Sequence, residues 1–500
     1  MYPPPPPVEE VQFVRVDVPD LPGAIASSSV GSVFEGDPGL NHLPSRPEAM
    51  AEIDLVEATG AVAALDASQW HGSGYTGKGV KVAVFDSQWR DWELLADELG
   101  TVAGTHDCFD HRSCARPIDS FARYTSSGRH GVACAEVIHD IAPDAELHLV
   151  RVTSLTSLEN AVDWAIREEI DIISMSLSFF NESAYDGTGP VNDPMDRLEA
   201  AGVLMVTSAG NYALEHWMGS LVDSDHDDLV EFQPNQEGLW VYWNAGRRRL
   251  DITWDDWNTC GATDLDAYVY SEAGDLVGTG VREQRAPEVR DENEACTPVE
   301  RVTVNAAEDG WYRLMLRRTR GDDDATVHVF ARGGELYTPV FEGSITDPGT
   351  HPSVLTVGAV RERNYLFNSA QAYSSLGPTL AGVPKPDIAG PDGLSTSSFG
   401  PSGFFGTSAA TPAVAAAIAV LMSEVPGRSP RAAADLLIRW AESDQATWEA
   451  VDPALGAGRA RLPPLERASG GCGLGPILPM MVLLPGLGLR RRSPRTRRTG

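Results

Sequence analysis

Four short segments place side chains that could do chemistry together. VKVAVFDSQW puts a carboxylate, Asp86, at the carboxyl end of a predicted strand, where open α/β sheets meet their ligands. GRHGVACAEVIHDIAPDAEL opens a predicted helix with His130, and Gly131 beside it permits close approach. VLMVTSAGN ends a buried strand in the amide of Asn211. FFGTSAATPAVAAAIAVLM sets the Ser408 hydroxyl at the start of an alanine-rich helix, beside free N–H groups and the positive dipole end. A hydroxyl attacks only after a base takes its proton, and an imidazole base must be held in one tautomer, so these residue types suit nucleophilic chemistry. Taken singly, each has an ordinary use: Ser408 as a helix cap, His130 as a core histidine, Asp86 as a strand-end cap, Asn211 as a turn residue. In this order and these contexts, coincidence is the weaker account.

The elements that must position them read as an α/β domain. Apolar strands are predicted at 80–85, 146–152, 170–177 and 203–208, with helical periods at 131–141, 158–169 and 195–201 and a helical stretch at 51–70. Strand alternating with helix predicts a doubly wound parallel sheet covered on both faces. From 231 to about 332 the rhythm changes to six short strands, at 239–243, 250–254, 265–270, 302–304, 311–316 and 325–330. That pattern predicts a small antiparallel β-sandwich inserted in the α/β domain. The α/β pattern resumes at 353–360 and closes with the helix after Ser408 and another at 430–442. The expected organisation is a Pro-rich leader or linker at 1–49, a catalytic domain in two parts at 50–230 and 336–468, the insert at 231–335, and a tail at 469–500.

Five hundred residues with 42% apolar side chains can bury a large core and a second module. The charge is 39 − 71 = −32 and the only lysines are Lys78, Lys81 and Lys385, a surface that repels phosphate and excludes a nucleic-acid partner. No CxxC spacing occurs, so no zinc site is expected. Cys108 and Cys114 share one loop and Cys260 and Cys296 flank a strand-rich stretch; two local pairs around a buried Cys134 would suit an oxidising compartment. The opening MYPPPPPVEEVQ lacks the basic start of a signal peptide. Near the other end, residues 473–489 are apolar but broken by Pro476, Pro479 and Pro485, and six arginines follow. This composition reads as a short membrane anchor or sorting tail, and without its arginines the charge is 33 − 71 = −38.

Together the four segments resemble the subtilisin-like serine proteases, in their order Asp, His, Asn, Ser, over most of residues 50–230 and 336–465. The resemblance implies Ser408 as nucleophile, His130 as general base, Asp86 as its orienting partner and Asn211 as oxyanion donor. It implies protein or peptide substrates bound by strand addition along IISMSLS, with Ser176, Leu177, Ser178, Ser208, Ala209 and Gly210 lining the first pocket. A lipase-type hydrolase would need GxSxG where GTSAATP stands. The chain departs from the family pattern at Gln88, at Ser178 and at Tyr212 and Ala213, which bear on pocket shape. The insert resembles the sandwich modules beside bacterial secreted peptidases, and the tail resembles myxobacterial sorting tails, so a monomeric exported or cell-surface (outer-membrane-associated) endopeptidase is expected, its tail engaging a membrane or sorting machinery. The alternative is a catalytically silent surface protein binding partners through its sandwich. No cofactor is required by this chemistry. In DSDHDDLVE, Asp223, Asp225, Asp227 and Glu231 resemble a calcium loop, with Asp228 where a glycine normally turns; the alternative is a solvated acidic loop. His139 and His148 are read as structural, and Cys134 as a small buried hydrophobe.

Overall fold

The computed structural model describes residues 59–109, 114–119, 128–257, 262–284, 297–321, 325–445 and 453–465. The leader, the tail, Cys260, Cys296 and Cys472 lie outside them. Helices α1 (Thr59–Ala64) and α2 (Ala67–His71) precede β1 (Lys81–Asp86). Then come α3 (Ala96–Leu99), β2 (Val102–Asp107), α4 (His130–Ile141), β3 (Glu146–Arg151), α5 (Leu155–Arg167), β4 (Ile172–Met175), α6 (Asp193–Ala201) and β5 (Leu204–Ser208). An excursion of antiparallel strands follows: β6 (His216–Ser220), β7 (Gly238–Trp243), β8 (Gly246–Trp254), β9 (Asp264–Ser271), β10 (Leu276–Gly280), β11 (Val299–Ala306), β12 (Gly310–Arg320), β13 (Thr326–Arg332) and β14 (Gly334–Leu336). The chain returns through β15 (Leu355–Arg361), β16 (Ile388–Asp392), the hairpin β17 (Leu394–Thr396) and β18 (Gly400–Phe404), and ends in α7 (Thr407–Glu424) and α8 (Pro430–Gln445).

Seven parallel strands form one sheet in the order β16-β15-β5-β4-β1-β3-β2. The interior strand β1, KVAVFD, is buried at every position after the first, as a strand covered on both faces must be. Ala83 and Phe85 pack in a core with Leu158, Trp164 and Met195 of α5 and α6; alternation turns Val82 and Val84 to the opposite face. There α7 lies across β4, β5, β15 and β16 and against α4. α7 is long and apolar enough to cross a bilayer, yet Ala409, Val414 and Ile418 are fully buried inside the protein.

The excursion forms two antiparallel sheets, β10-β9-β12-β7-β14 and β11-β8-β13-β6. Their inner faces share one apolar core that includes Trp243, Leu250, Trp254, Val269, Leu314 and Val329. The six expected strands are present, and β6, β10 and β14 join them. HWMGS, just before the predicted insert, is an outer strand of its second sheet. At the start of the chain's described part, two short helices replace the single predicted one, because Asp66 adopts a left-handed conformation (φ 56°) between them. β2 escaped the sequence reading because VAGTHD is an edge strand with no fully buried face.

Candidate active site

The site is built where β1, β5 and the amino ends of α4 and α7 converge. Asp86 ends β1 with its side chain fully enclosed. One carboxylate oxygen accepts the Gln88 N–H at 2.9 Å, and the other lies 2.6 Å from His130 Nδ1. The indole of Trp89 donates to the Asp86 carbonyl at 3.0 Å, locking the turn after the strand. Gln88, which replaces the expected glycine, is thus accommodated: its N–H holds Asp86, and its carbonyl accepts the Gly131 N–H at 3.0 Å.

Helix α4 can approach this turn only because residue 131 is glycine. A Cβ there would fall 2.7 Å from Asp86 Cβ and 3.0 Å from the Gln88 carbonyl oxygen. His130 opens the helix and keeps a small solvent-facing fraction, with the Phe404 ring edge-on at 5.7 Å. Burial alone would lower the imidazole pKa, but the charge and hydrogen bond of Asp86 overcome it and the pKa is raised. Because Asp86 engages Nδ1, the second nitrogen, Nε2, is the one available for proton exchange. One turn on, Cys134 is buried and its thiol is pushed well up by burial and then by Asp86, so it stays protonated. It fills space as the sequence reading expects.

Ser408 is the second residue of α7. Pro412, four residues on, has no N–H to offer the Ser408 carbonyl. That carbonyl instead accepts from Ser176 Oγ at 3.1 Å and from the Cys134 thiol at 3.7 Å. The residue before the serine is also held: Thr407 donates its N–H (2.9 Å) and hydroxyl (3.1 Å) to Asn211 Oδ1. Two donors on Oδ1 orient the amide so that Nδ2 faces away from Thr407. A Cβ at Gly406 would come 2.9 Å from that Nδ2, so glycine there keeps the amide's donor side clear.

Asp86 and His130 thus meet directly, Asn211 holds Thr407 next to Ser408, and Cys134 of α4 reaches the Ser408 carbonyl. Ser176, Leu177 and Ser178 run on from β4, and Ser208, Ala209 and Gly210 end or follow the adjacent β5. His148 contacts His106 and Glu146 at the sheet edge, and His139 packs beside Gly100, consistent with structural roles. Several supporting residues escaped the sequence reading. Enclosed Asp392 accepts the Gly406 N–H at 3.2 Å and a short hydrogen bond from Tyr373. Buried Glu136 binds the loop between β17 and β18. A lone carboxylate inside the apolar face of α4 was the available signal for Glu136.

Cys108 and Cys114 form a disulfide. In the acidic loop, Asp223, Asp225 and Asp227 bring carboxylates within 4.8 Å of one another. Glu231 is not among them; it accepts from Ser224 and Asn235. Asp223 accepts the N–H groups of Asp227 (3.1 Å) and Asp228 (3.2 Å) and pairs with Arg318 at 3.0 Å. The three aspartates of the proposed calcium loop thus cluster, with the Arg318 guanidinium beside one of them and Glu231 turned to other partners.

Comparison with known proteins agrees with this architecture. The subtilase family model matches residues 77–244 and 266–458, and the chain belongs to that family. Among curated relatives, the minor extracellular protease Epr of Bacillus subtilis is 28% identical over 28% of this chain and 21% of its own length. Subtilisin E of the same species is 26% identical over 30% of this chain and 39% of its own length. The chain thus spans well under half the length of these relatives. The solved Clostridium perfringens CspB protease covers 80% of this chain and 95% of its own at a TM-score of 0.55 and 17% identity, a likeness of fold.

Proposed function

We propose that this chain is a serine endopeptidase that hydrolyses peptide bonds of proteins through an acyl-enzyme. The observation that carries the reading is the 2.6 Å contact between Asp86 Oδ2 and His130 Nδ1 at the same sheet edge as Ser408. Asp86 keeps the proton on Nδ1, so Nε2 accepts the Ser408 proton as Oγ attacks the substrate carbonyl carbon. The oxyanion forms beside Asn211 Nδ2 and the backbone N–H groups at the start of α7. His130 then passes the proton to the leaving amine, and water, activated by the same imidazole, releases the acyl group.

Substrate would lie as an added strand along Ser176, Leu177 and Ser178. The Cys108–Cys114 disulfide supports action outside a reducing cytosol, as does kinship with a protease named as extracellular. Tethering through the 469–500 tail extends this reading. The chemistry needs no metal. Ser408→Ala is expected to abolish hydrolysis and fluorophosphonate labelling while the melting curve stays close to that of the unaltered protein. A properly folded unaltered protein that takes no label would instead favour a silent binding protein.

A further inference from the structure

The two segments assigned to the first substrate pocket continue from neighbouring parallel strands, with Met175 of β4 opposite Thr207 of β5. A deep cleft between them would leave its walls accessible. Instead Ser176 (8%), Leu177 (3%), Ser178 (7%), Ser208 (5%) and Ala209 (0%) are all nearly closed to solvent, and Gly210 is buried.

Tyr212 closes the space. A Cβ at Gly210 would fall 2.7 Å from Tyr212 Cδ2 and 2.9 Å from Cε2, so the ring lies directly on the Gly210 backbone. Its other side meets Phe180 edge-on at 5.0 Å, so the ring spans from the β5 continuation to the β4 continuation. Its backbone N–H is tied to Ser375 Oγ at 3.0 Å. Behind it stands Phe330 of β13, fully buried and edge-on to both Tyr212 (5.9 Å) and Phe180 (5.2 Å). Arg332 of the same strand lies over the Phe180 ring at 4.2 Å. The insert thus supplies the backing of this wall, and the ring cannot withdraw without displacing Phe330.

Resting on the endopeptidase reading above, we propose that Tyr212, held in place by Phe330 of the insert, is the specificity-determining floor of the first pocket. It restricts cleavage to bonds that follow a small residue: glycine, alanine or serine. A leucine or phenylalanine side chain at that position meets the tyrosine ring before its own carbonyl reaches Ser408.

The test digests a denatured protein mixture with the full chain and reads new carboxyl termini by mass spectrometry, with fluorophosphonate labelling in parallel. Small residues should precede the cut bond over leucine and phenylalanine by on the order of 10- to 200-fold in rate. Tyr212→Ala should remove or reverse that preference. Phe330→Ala, outside the cleft, should relax it in the same direction, which covers the case where Tyr212→Ala fails to fold. A labelled enzyme that cuts equally well after large residues, or cuts nothing, overturns the inference, as does an unchanged ratio in both labelled variants. Absence of label in the folded unaltered chain sinks the endopeptidase reading itself, and this inference falls with it.

Discussion

His130 Nδ1 and Asp86 Oδ2 meet at 2.6 Å on a carboxylate with no exposed surface, while the other carboxylate oxygen accepts the Gln88 N–H at 2.9 Å. Each oxygen of the buried charge has a partner, and the imidazole has one orientation. The pair is framed by backbone: the Gln88 carbonyl binds the Gly131 N–H, so the strand turn and the helix start are one unit.

The raised pKa of His130 has a definite sign in the rate profile. The base must be neutral, so the acid limb of kcat/KM lies above the usual histidine value of about 6.5. In Asp86→Asn the raising charge is gone while burial, which lowers the pKa, remains, so the limb moves to lower pH. The rate should also fall on the order of 10⁴-fold, since the amide no longer holds the productive tautomer. Rate profiles of both proteins between pH 4.5 and 9, pH values being about two units either side of the usual histidine pKa, check this; an unmoved limb would show that Asp86 does not set the imidazole's proton affinity.

Gly131→Ala isolates position from chemistry. The added methyl meets Asp86 Cβ at 2.7 Å and backbone oxygen at 3.0 Å, neither the far end of a flexible side chain. The helix start must move, carrying His130 with it. Misplacement on the order of 1 Å costs about 10²-fold in rate, so kcat should drop by about that much while circular dichroism still reports a folded protein. Unchanged kcat would mean that the turn yields without shifting the imidazole.

That Asp86 ends β1, His130 opens α4, Asn211 follows β5 and Ser408 starts α7 was legible in the sequence because each lies in a recognisable local context. The parallel sheet was legible for a related reason: strands such as β1 and β5, buried on both faces, are apolar without interruption. What could not be read depends on contacts between distant residues. Glu136 and Ser398 are 262 positions apart, and the ring of Tyr212 packs on Phe330, contributed by a strand of the antiparallel excursion. The acidic loop shows both sides: its three aspartates cluster as their spacing suggested, while the guanidinium of Arg318, 95 positions beyond Asp223, was not legible.

If that ion pair supplies the loop's counter-charge, the protein's stability should be insensitive to calcium. Removing divalent ions with a chelator should leave the thermal midpoint within about 1 °C. Arg318→Ala should cost about 3 kcal/mol, because Asp223 is then an enclosed carboxylate without its cation. In that variant millimolar calcium should recover part of the loss. A large chelator effect on the unaltered protein would show that a cation binds despite Arg318.

Glu136 couples the two helices of the site through a hairpin. Its carboxylate accepts the N–H groups of Ser397 (2.6 Å) and Ser398 (3.2 Å) and a short bond from the Ser398 hydroxyl. The hairpin it holds ends at Phe404, which touches the His130 ring four residues before Ser408. Burial pushes the Glu136 pKa up to about 6 from the usual 4.5, with the serine hydrogen bonds holding it partly back. The folded state therefore binds its proton more tightly than the unfolded chain. The associated stability is fully present below about pH 4.5 and is lost as pH rises through about 6, a change of about 2 kcal/mol. Glu136→Gln keeps the length of the side chain and cannot ionise. The unfolding free energy of the unaltered protein minus that of the variant should therefore fall by about 2 kcal/mol between pH 4.5 and 6.5 and stay flat above. Other titrating groups, such as the buried pair His216 and His328, cancel in that difference. Urea denaturation of both proteins across the range measures it, and a difference independent of pH would show that Glu136 ionises at its ordinary value inside the fold.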